Sequence, residues 1–440
     1  MRVHYKTFGC KANQADTERI RQTLQDGGLS GDGVTTLAEA DLCVVNTCTV
    51  TNQADADARR FVRRVRRENP DAQVVVAGCS AALRAPEYES MPEVSFVVQG
   101  HDAGEVFRAV ESLVSPPKSP LVSLGASGPL DQTSLESIGA TVLRRRAGAT
   151  RGWLKVQDGC DRKCAFCATR LARGVSRSRP VEVVVEEARS LARSHPELVI
   201  TGIHIGHYGL DLPEKRTLSY LAARLLEAVP DVRFRLGSIE ATEVDDELIR
   251  LMTDSDGRLV PHLHMPLQSG ADSVLRRMRR WHTREQYRVR ALEIGALVGP
   301  LGLGADVITG FPGETDADHA DTVRLIEELP FTYLHVFPFS PRDGTVAASL
   351  PDPVQSSVAR VRARELRALA DDKTHAYRAR QGGTRTTVVL EGGGGKALTG
   401  DYLRVAVGDS DLDPGRLHEG WLSRDGSRFR IDGAPVEGMN

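Results

Sequence analysis

A loop near the middle of the chain, Val156-Gln-Asp-Gly-Cys160-Asp-Arg-Lys-Cys164-Ala-Phe-Cys167, sets three thiols in a C-x3-C-x2-C order. No fourth Cys or His stands in the same loop, and that count constrains the chain more than the gaps do. A structural zinc site takes four protein ligands and closes the metal off. A 4Fe-4S cluster also normally takes four thiolates, so three leave one iron open to a ligand that is not protein. Zinc held by this loop would need its last ligand from elsewhere in the chain.

Such a loop needs a rigid frame, and the pattern around it supplies one. The run Trp153-Leu-Lys-Val156 feeds the loop, and further apolar runs follow at 198–203, 232–236, 262–267, 304–308 and 333–339. Helical segments at 181–194, 245–252, 285–297 and 316–329 lie between them. Strands separated by helices imply a parallel sheet. About six such units in series predict a partial (βα)6 barrel, an opened relative of the eightfold one, with its chemistry at the carboxyl-end mouth. The cysteine loop follows the first strand, at that mouth.

The first hundred residues repeat the design on a smaller scale. Strand-like runs at 2–7, 41–48 and 73–79 alternate with helical segments at 13–25, carrying Ile20 and Leu24 on one face, and at 54–68. This predicts an amino-terminal parallel α/β domain. Cys10, Cys48 and Cys79 stand at the carboxyl ends of its strands, where ligands collect in such sheets. They read as a second set of three cluster ligands, or as small residues packed after strands. Cys43 lies inside its strand and reads as a buried small hydrophobe. Seven cysteines in a long chain whose start has no signal-peptide core read as metal ligands before disulfides.

The helix at 54–68 buries Ala58, Phe61, Val62 and Val65 on one face, while Arg59, Arg60, Arg63, Arg64, Arg66 and Arg67 crowd the others. It reads either as a solvated face or as a stripe that grips phosphates. With a net charge of -2, bulk charge does not bind nucleic acid here, so any RNA contact falls to local arginine clusters. Beyond residue 371 the texture changes to short alternating strands at 384–390, 402–407 and 422–431, the last around an Asp425-Gly426 turn. A small five-strand β-barrel of the OB-like kind fits, a size that often holds oligonucleotides. The stretch Glu391-Gly-Gly-Gly-Gly-Lys396 lacks the spacing of a phosphate-binding loop and reads as a hairpin tip. The resulting division is 1–114, a Pro- and Ser-rich linker at 115–143, a central domain at 144–372 and a terminal domain at 373–440. No apolar run approaches the length that spans a bilayer, so the expectation is a cytoplasmic protein with no membrane partner.

Several stretches carry a resemblance. Thr7-Phe-Gly-Cys10-Lys-Ala-Asn13-Gln-Ala-Asp16, Asn46-Thr-Cys48-Thr-Val50 and Gly78-Cys79 resemble the amino-terminal domain of the radical S-adenosylmethionine methylthiotransferases. The central loop resembles the radical domain of the same family. Five further stretches follow in the family's order: Thr201-Gly-Ile-His-Ile-Gly206-His-Tyr-Gly209, Leu236-Gly-Ser-Ile-Glu240, His264-Met-Pro-Leu-Gln268-Ser-Gly270, Asp306-Val-Ile-Thr-Gly310-Phe-Pro-Gly313-Glu314 and His335-Val-Phe-Pro338-Phe-Ser-Pro341. The terminal domain looks like the small RNA-binding TRAM domain of the tRNA enzymes.

The resemblance implies two 4Fe-4S clusters, on Cys160, Cys164 and Cys167 and on Cys10, Cys48 and Cys79. It also implies S-adenosyl-L-methionine as the radical source and methyl donor, tRNA as substrate, a flavodoxin- or ferredoxin-type electron donor and a sulfur source. Gly202, Glu240, Gln268, Gly310 and Glu314 are the candidate cofactor-binding residues; the polar ones among them read equally as loop-capping side chains. His204, His207, His262 and His264 read as barrel-lining polar residues or as metal ligands. Asn46 to Thr51 and Asp16-Thr-Glu18 look closest to the branch that modifies N6-threonylcarbamoyladenosine beside the anticodon. The isopentenyladenosine tRNA enzyme, the ribosomal-protein aspartate enzyme and a non-catalytic metal-containing RNA-binding protein are the alternatives. Two departures stand out. No Pro follows Cys167 before Arg173-Gly, and Gly78-Cys79-Ser-Ala lacks the family's usual aromatic and Gln.

Overall fold

The computed structural model describes residues 1–31, 33–114, 141–392, 395–408 and 412–431. The expected linker, apart from 141–143, lies outside the described residues, as do Gly393 and Gly394 of the hairpin tip and the stretch 432–440.

Four strands, β1 (Val3–Thr7), β2 (Leu42–Thr47), β3 (Gln73–Gly78) and β4 (Phe96–Val97), lie side by side in chain order, all parallel. The helices α1 (Lys11–Asp26), α2 (Asn52–Glu68), α3 (Cys79–Glu89) and α4 (Ala103–Val114) cover both faces. Every residue of β2 is buried, the expected state of a parallel strand covered on both sides. Thr51 starts α2 by accepting the Ala54 N–H; Val62 and Val65 fill one core, Phe61 packs against it, and Ala58 is buried on the same helix. Ile20 and Leu24 of α1 fill the other. The opposite, polar side of α1 is buried too, since it lies against the central domain.

That domain begins with β5 (Arg151–Lys155), which leads into β6 (Gln157–Asp158), the cysteine loop, α5 (Thr169–Arg173) and β7 (Arg177–Ser178). The antiparallel β6–β7 pair closes the loop at its base. Next come α6 (Val181–Ala192), β8 (Glu197–Thr201), α7 (Leu218–Ala228), β9 (Arg233–Leu236), α8 (Asp246–Asp254), β10 (His262–His264), α9 (Asp272–Arg277), α10 (Arg284–Leu297), β11 (Gly302–Thr309), α11 (Asp316–Glu328) and β12 (Tyr333–Pro338). The strands form two parallel sheets, β5-β8-β9 and β10-β11-β12, joined by bridges at Phe234–Leu259 and Ser238–His264. The result is the six-stranded partial barrel. Thr283–Gln286 and Thr315–Asp318 capping boxes start α10 and α11.

One element was not expected. α12 (Ser356–Gln381) is a single helix of 26 residues that runs through the boundary placed at 372–373. Its Ala363 and Leu366 join the central core, and its Tyr377 joins the core of the terminal barrel. That barrel, β13 (Arg385–Leu390), β14 (Lys396–Thr399), β15 (Arg404–Val407), β16 (Leu417–Leu422) and β17 (Arg428–Arg430), closes in the order β13-β14-β15-β17-β16. At the foot of the central barrel, Glu197 takes Arg233 Nε at 2.6 Å, Arg235 Nε at 2.9 Å and Arg151 Nη1 at 3.4 Å. Arg233 and Arg235 donate their remaining N–H groups to the carbonyls of Thr387, Leu398, Thr399 and Gly400 in the terminal domain.

The amino-terminal domain sits across the barrel's open side. Ala15 of α1 packs with Trp153 and Val199, and the Trp153 indole donates to Gln14 Oε1 at 2.8 Å. Arg19 forms a buried pair with Glu187, and Lys155 bonds Asp16 at 2.5 Å and Asp158 at 2.7 Å. Burial raises the Asp16 and Asp158 carboxyls, but Lys155 and Arg173 outweigh it and hold both below the ordinary carboxylate range. A depressed carboxyl contributes stability that is complete above its unfolded pKa and is lost as the pH falls below it. The interface is therefore expected to loosen on acidification below about pH 4. Trp153 fluorescence, in a chain whose Trp281 and Trp421 are phenylalanine, reports this; an acid transition no different in Asp16→Asn protein would contradict it.

Candidate active site

One cysteine of each trio follows a glycine in a left-handed conformation whose neighbours leave no room for a Cβ. Gly78 has φ +96°, and a Cβ there would collide with Asn46 Oδ1 and the Thr47 backbone. Gly159 has φ +70°, and a Cβ there would collide with the Val175 carbonyl. Cys79 and Cys160 follow directly. Gly159→Ala is expected to destabilise the loop by about 1–3 kcal/mol through strain alone, and to lower the iron bound at the central trio. Iron counting after anaerobic reconstitution measures this, and wild-type iron content would refute it.

In the amino-terminal trio, Asn13 is the common neighbour. Its Oδ1 lies 3.6 Å from Cys10 Sγ and 3.8 Å from Cys79 Sγ, while its Nδ2 donates to the carbonyls of Phe8 and Thr47. Cys48 packs against Gly9, next to Cys10. The three thiols of the expected second set thus lie together at one sheet edge, with Cys10 exposed and Cys48 and Cys79 buried. Cys43 is fully buried within β2. Burial pushes the Cys48 thiol up to about 12, so metal must displace its proton on binding.

In the central trio, burial likewise pushes the Cys160 thiol up to about 12. Cys160 Sγ lies 3.4 Å from His204 Nδ1, and His204 Nε2 lies 2.9 Å from Glu243. Burial opposes ionisation of Glu243, but its bonds to His204 and His207 bring it down to about 2. Arg280 donates to Cys164 Sγ at 3.6 Å and pairs with Glu240. Burial raises the Glu240 carboxyl despite that arginine. In both trios the donor set is soft sulfur, and each has a guanidinium against one sulfur, Arg280 at Cys164 and Arg173 at Cys79, 3.2 Å away. Thiolate sulfur with cationic hydrogen-bond donors suits an iron–sulfur cluster, whose negative charge those donors offset.

The remaining candidates fall in different places. Gly202 follows β8 and packs against Gln157, whose Oε1 accepts the N–H groups of Ile203 and His204. Gln268 holds φ +68°, and its buried Oε1 has no hydrogen-bond partner among the described residues. Glu314 accepts the Gly310 N–H at 2.5 Å and pairs with Arg362 of α12 at 2.7 Å, so its carboxylate is taken up by its own loop and by α12. His262 and His264 reach Tyr333 Oη at 2.9 and 3.1 Å, and His264 and His335 flank Asp306. Sequence reasoning gave no role to Lys155, Asp158, Arg173, Arg280 or Glu243. The signal for one was present, since Lys155 is a lone cation inside an apolar strand run.

A parallel half-barrel with a three-cysteine loop after its first strand defines a radical S-adenosylmethionine enzyme, which carries a 4Fe-4S cluster and binds S-adenosylmethionine. Comparison with known proteins agrees. The Radical SAM superfamily matches residues 154–326, and the family described as "Uncharacterized protein family UPF0004" matches residues 2–99. The chain is similar to the threonylcarbamoyladenosine tRNA methylthiotransferase MtaB of Bacillus subtilis, 38% identical over 85% of this chain and 81% of that one. For MtaB of Rickettsia prowazekii the identity is 33%, over 89% and 88%. The chain belongs to this family of methylthiotransferases. In fold it is similar to the radical S-adenosylmethionine methyltransferase TsrM of Kitasatospora setae, with TM-score 0.59 and 17% identity over 79% of this chain and 77% of that one. None of the described helices is long and apolar enough to cross a membrane.

Proposed function

We propose that this protein adds a methylthio group to carbon 2 of N6-threonylcarbamoyladenosine, 3′ to the anticodon of tRNA, using two 4Fe-4S clusters. The observation that carries the reading is the pairing of two cysteine trios, each one thiolate short, on elements that touch through α1 and α5. The substrate follows the curated relatives, which are named for that nucleoside. No side chain acid or base removes hydrogen from such a carbon at neutral pH. When bound, the clusters and S-adenosylmethionine supply the electron, the hydrogen-abstracting radical, the sulfur and the methyl group.

The chain's own residues hold and enclose these groups. Cys160, Cys164 and Cys167 hold one cluster at the mouth of the barrel, and Cys10, Cys48 and Cys79 hold the other at the facing sheet edge. Gln268 offers a carbonyl oxygen that has no hydrogen-bond partner among the described residues to a ligand amine or hydroxyl. The buried pairs of Asp16 and Asp158 with Lys155 and Arg173 close the seam between the domains to water. On α2, Arg59 and Arg64 pair with Glu87 and Glu68, while Arg63 and Arg67 stand exposed where they would meet tRNA phosphates. The terminal barrel is the second RNA contact in this reading. A flavodoxin- or ferredoxin-type protein supplies electrons, a separate donor supplies sulfur, and the reaction takes place in the cytoplasm.

Nucleoside mass spectrometry of tRNA from cells with and without the gene tests the proposal. Loss of the methylthio form with accumulation of unthiolated N6-threonylcarbamoyladenosine is the expected result. Loss of the isopentenyl methylthio nucleoside instead would move the assignment to that branch. Unchanged tRNA together with a lost ribosomal-protein modification would overturn the tRNA reading.

A further inference from the structure

We propose that Arg173, a residue of the radical domain, is a positioning residue for the amino-terminal cluster, acting through the sulfur of Cys79. This rests on the reading of Cys10, Cys48 and Cys79 as cluster ligands. Arg173 closes α5, six positions beyond Cys167, yet its side chain is fully buried against the other domain. Nε donates to Cys79 Sγ at 3.2 Å. Nη2 donates to Asn13 Oδ1 at 2.8 Å and Asp16 Oδ2 at 2.7 Å, and Nη1 donates to Asp158 at 2.9 and 3.0 Å. All three nitrogens of the guanidinium are engaged, and two of the partners, Asn13 and Cys79, belong to the neighbourhood of the amino-terminal trio.

The charges explain why an arginine stands here. Asp16 and Asp158 carry two negative charges and Lys155 and Arg173 two positive ones, with His101 Nε2 2.7 Å from Asp158 Oδ2 and 3.3 Å from Arg173 Nη1. A Cys79 thiolate on a cluster adds negative charge at a buried point, and Arg173 is the cation whose N–H reaches that sulfur. Hydrogen bonds to cluster sulfurs and local net charge set the reduction potential, and outer partners of this kind hold ligands in place. Its planar fork bonds one sulfur and two oxygen acceptors at once, which a lysine ammonium at the end of a flexible stem cannot reproduce. The amino-terminal cluster therefore has its full surroundings only when the radical domain is docked. Arg173 draws the two reactive centres into one assembly.

The test uses the full chain with Cys160, Cys164 and Cys167 all changed to alanine, so that cluster iron reports the amino-terminal trio alone. Anaerobic reconstitution is expected to load about four irons. A protein that loads none sinks the ligand reading itself, before Arg173 is at issue. In this background Arg173→Lys keeps the charge but breaks the bond to Cys79, and the cluster's midpoint potential, followed by redox titration with electron paramagnetic resonance, moves to more negative values. Arg173→Gln removes the charge as well and lowers iron affinity by roughly 10-fold or more. In the otherwise unaltered chain, both substitutions leave the reduced signal of the central cluster and its response to S-adenosylmethionine in place. Unchanged potential and iron in both variants, or equal loss of both clusters in the otherwise unaltered chain, overturns the proposal.

Discussion

Cys160→Ala protein, reconstituted anaerobically and reduced, is expected to stop cleaving S-adenosylmethionine while its iron falls from about eight to about four per chain. The loss should exceed the roughly 10–100-fold that follows from removing an outer-sphere partner, because a cluster held by two thiolates no longer has a fixed place in the barrel mouth. Cys160 also fixes orientation. Its backbone N–H donates to the Gly174 carbonyl at 3.0 Å, and its sulfur lies against His204. Cys48→Ala gives the complementary result, with S-adenosylmethionine cleavage retained and methylthio transfer lost. A Cys160→Ala protein that still releases 5′-deoxyadenosine would remove the central trio from the chemistry.

The second large effect is expected at the foot of the central barrel. Glu197 is wholly buried, and its carboxylate faces Arg151, Arg233 and Arg235. Burial disfavours its charge, but Arg235 and Arg233 outweigh that and hold it below the ordinary range. Glu197→Ala leaves Arg233 and Arg235 short of a counter-charge in a dry place, while Arg151 keeps Glu391 at 2.5 Å, at a cost of about 3–5 kcal/mol. Because Arg233 and Arg235 also hold the terminal barrel by its backbone carbonyls, the damage extends to that junction. Urea unfolding at pH 7, followed separately for the central and terminal parts, measures it. A midpoint shift worth less than about 1 kcal/mol, the range of an exposed pair, would mean that water reaches the arginines.

What the sequence makes legible follows from where local rules apply. The apolar runs place all six barrel strands, most cleanly β8 and β11, whose residues are largely apolar and buried; in β9 and β10 apolar residues alternate with arginine or histidine. The cysteines announce themselves by spacing and by standing after strands. The run at 262–267 promises a longer strand than β10, which ends at His264, two residues before Pro266. α12 was not anticipated because arginines and alanines dominate it and its buried stripe is narrow. The polar side of α1 escapes for a related reason. Asn13, Asp16, Arg19 and Gln22 look solvent-facing in a helix considered alone, and only the arrival of a second domain buries them. Contacts such as Arg173 to Cys79 join residues 94 apart in the chain, and no local pattern encodes a pairing of that kind.

The helix of 26 residues that joins the central barrel to the terminal one has a mechanical meaning. At 1.5 Å per residue it is a strut of about 39 Å, with one end seated in each core and no loop between them to act as a joint. Whatever the terminal barrel holds is thereby kept at a set span from the barrel mouth. The two barrels are therefore joined as one stiff body, and the grip of Arg233 and Arg235 on the terminal barrel's carbonyls fixes the same junction from its other side.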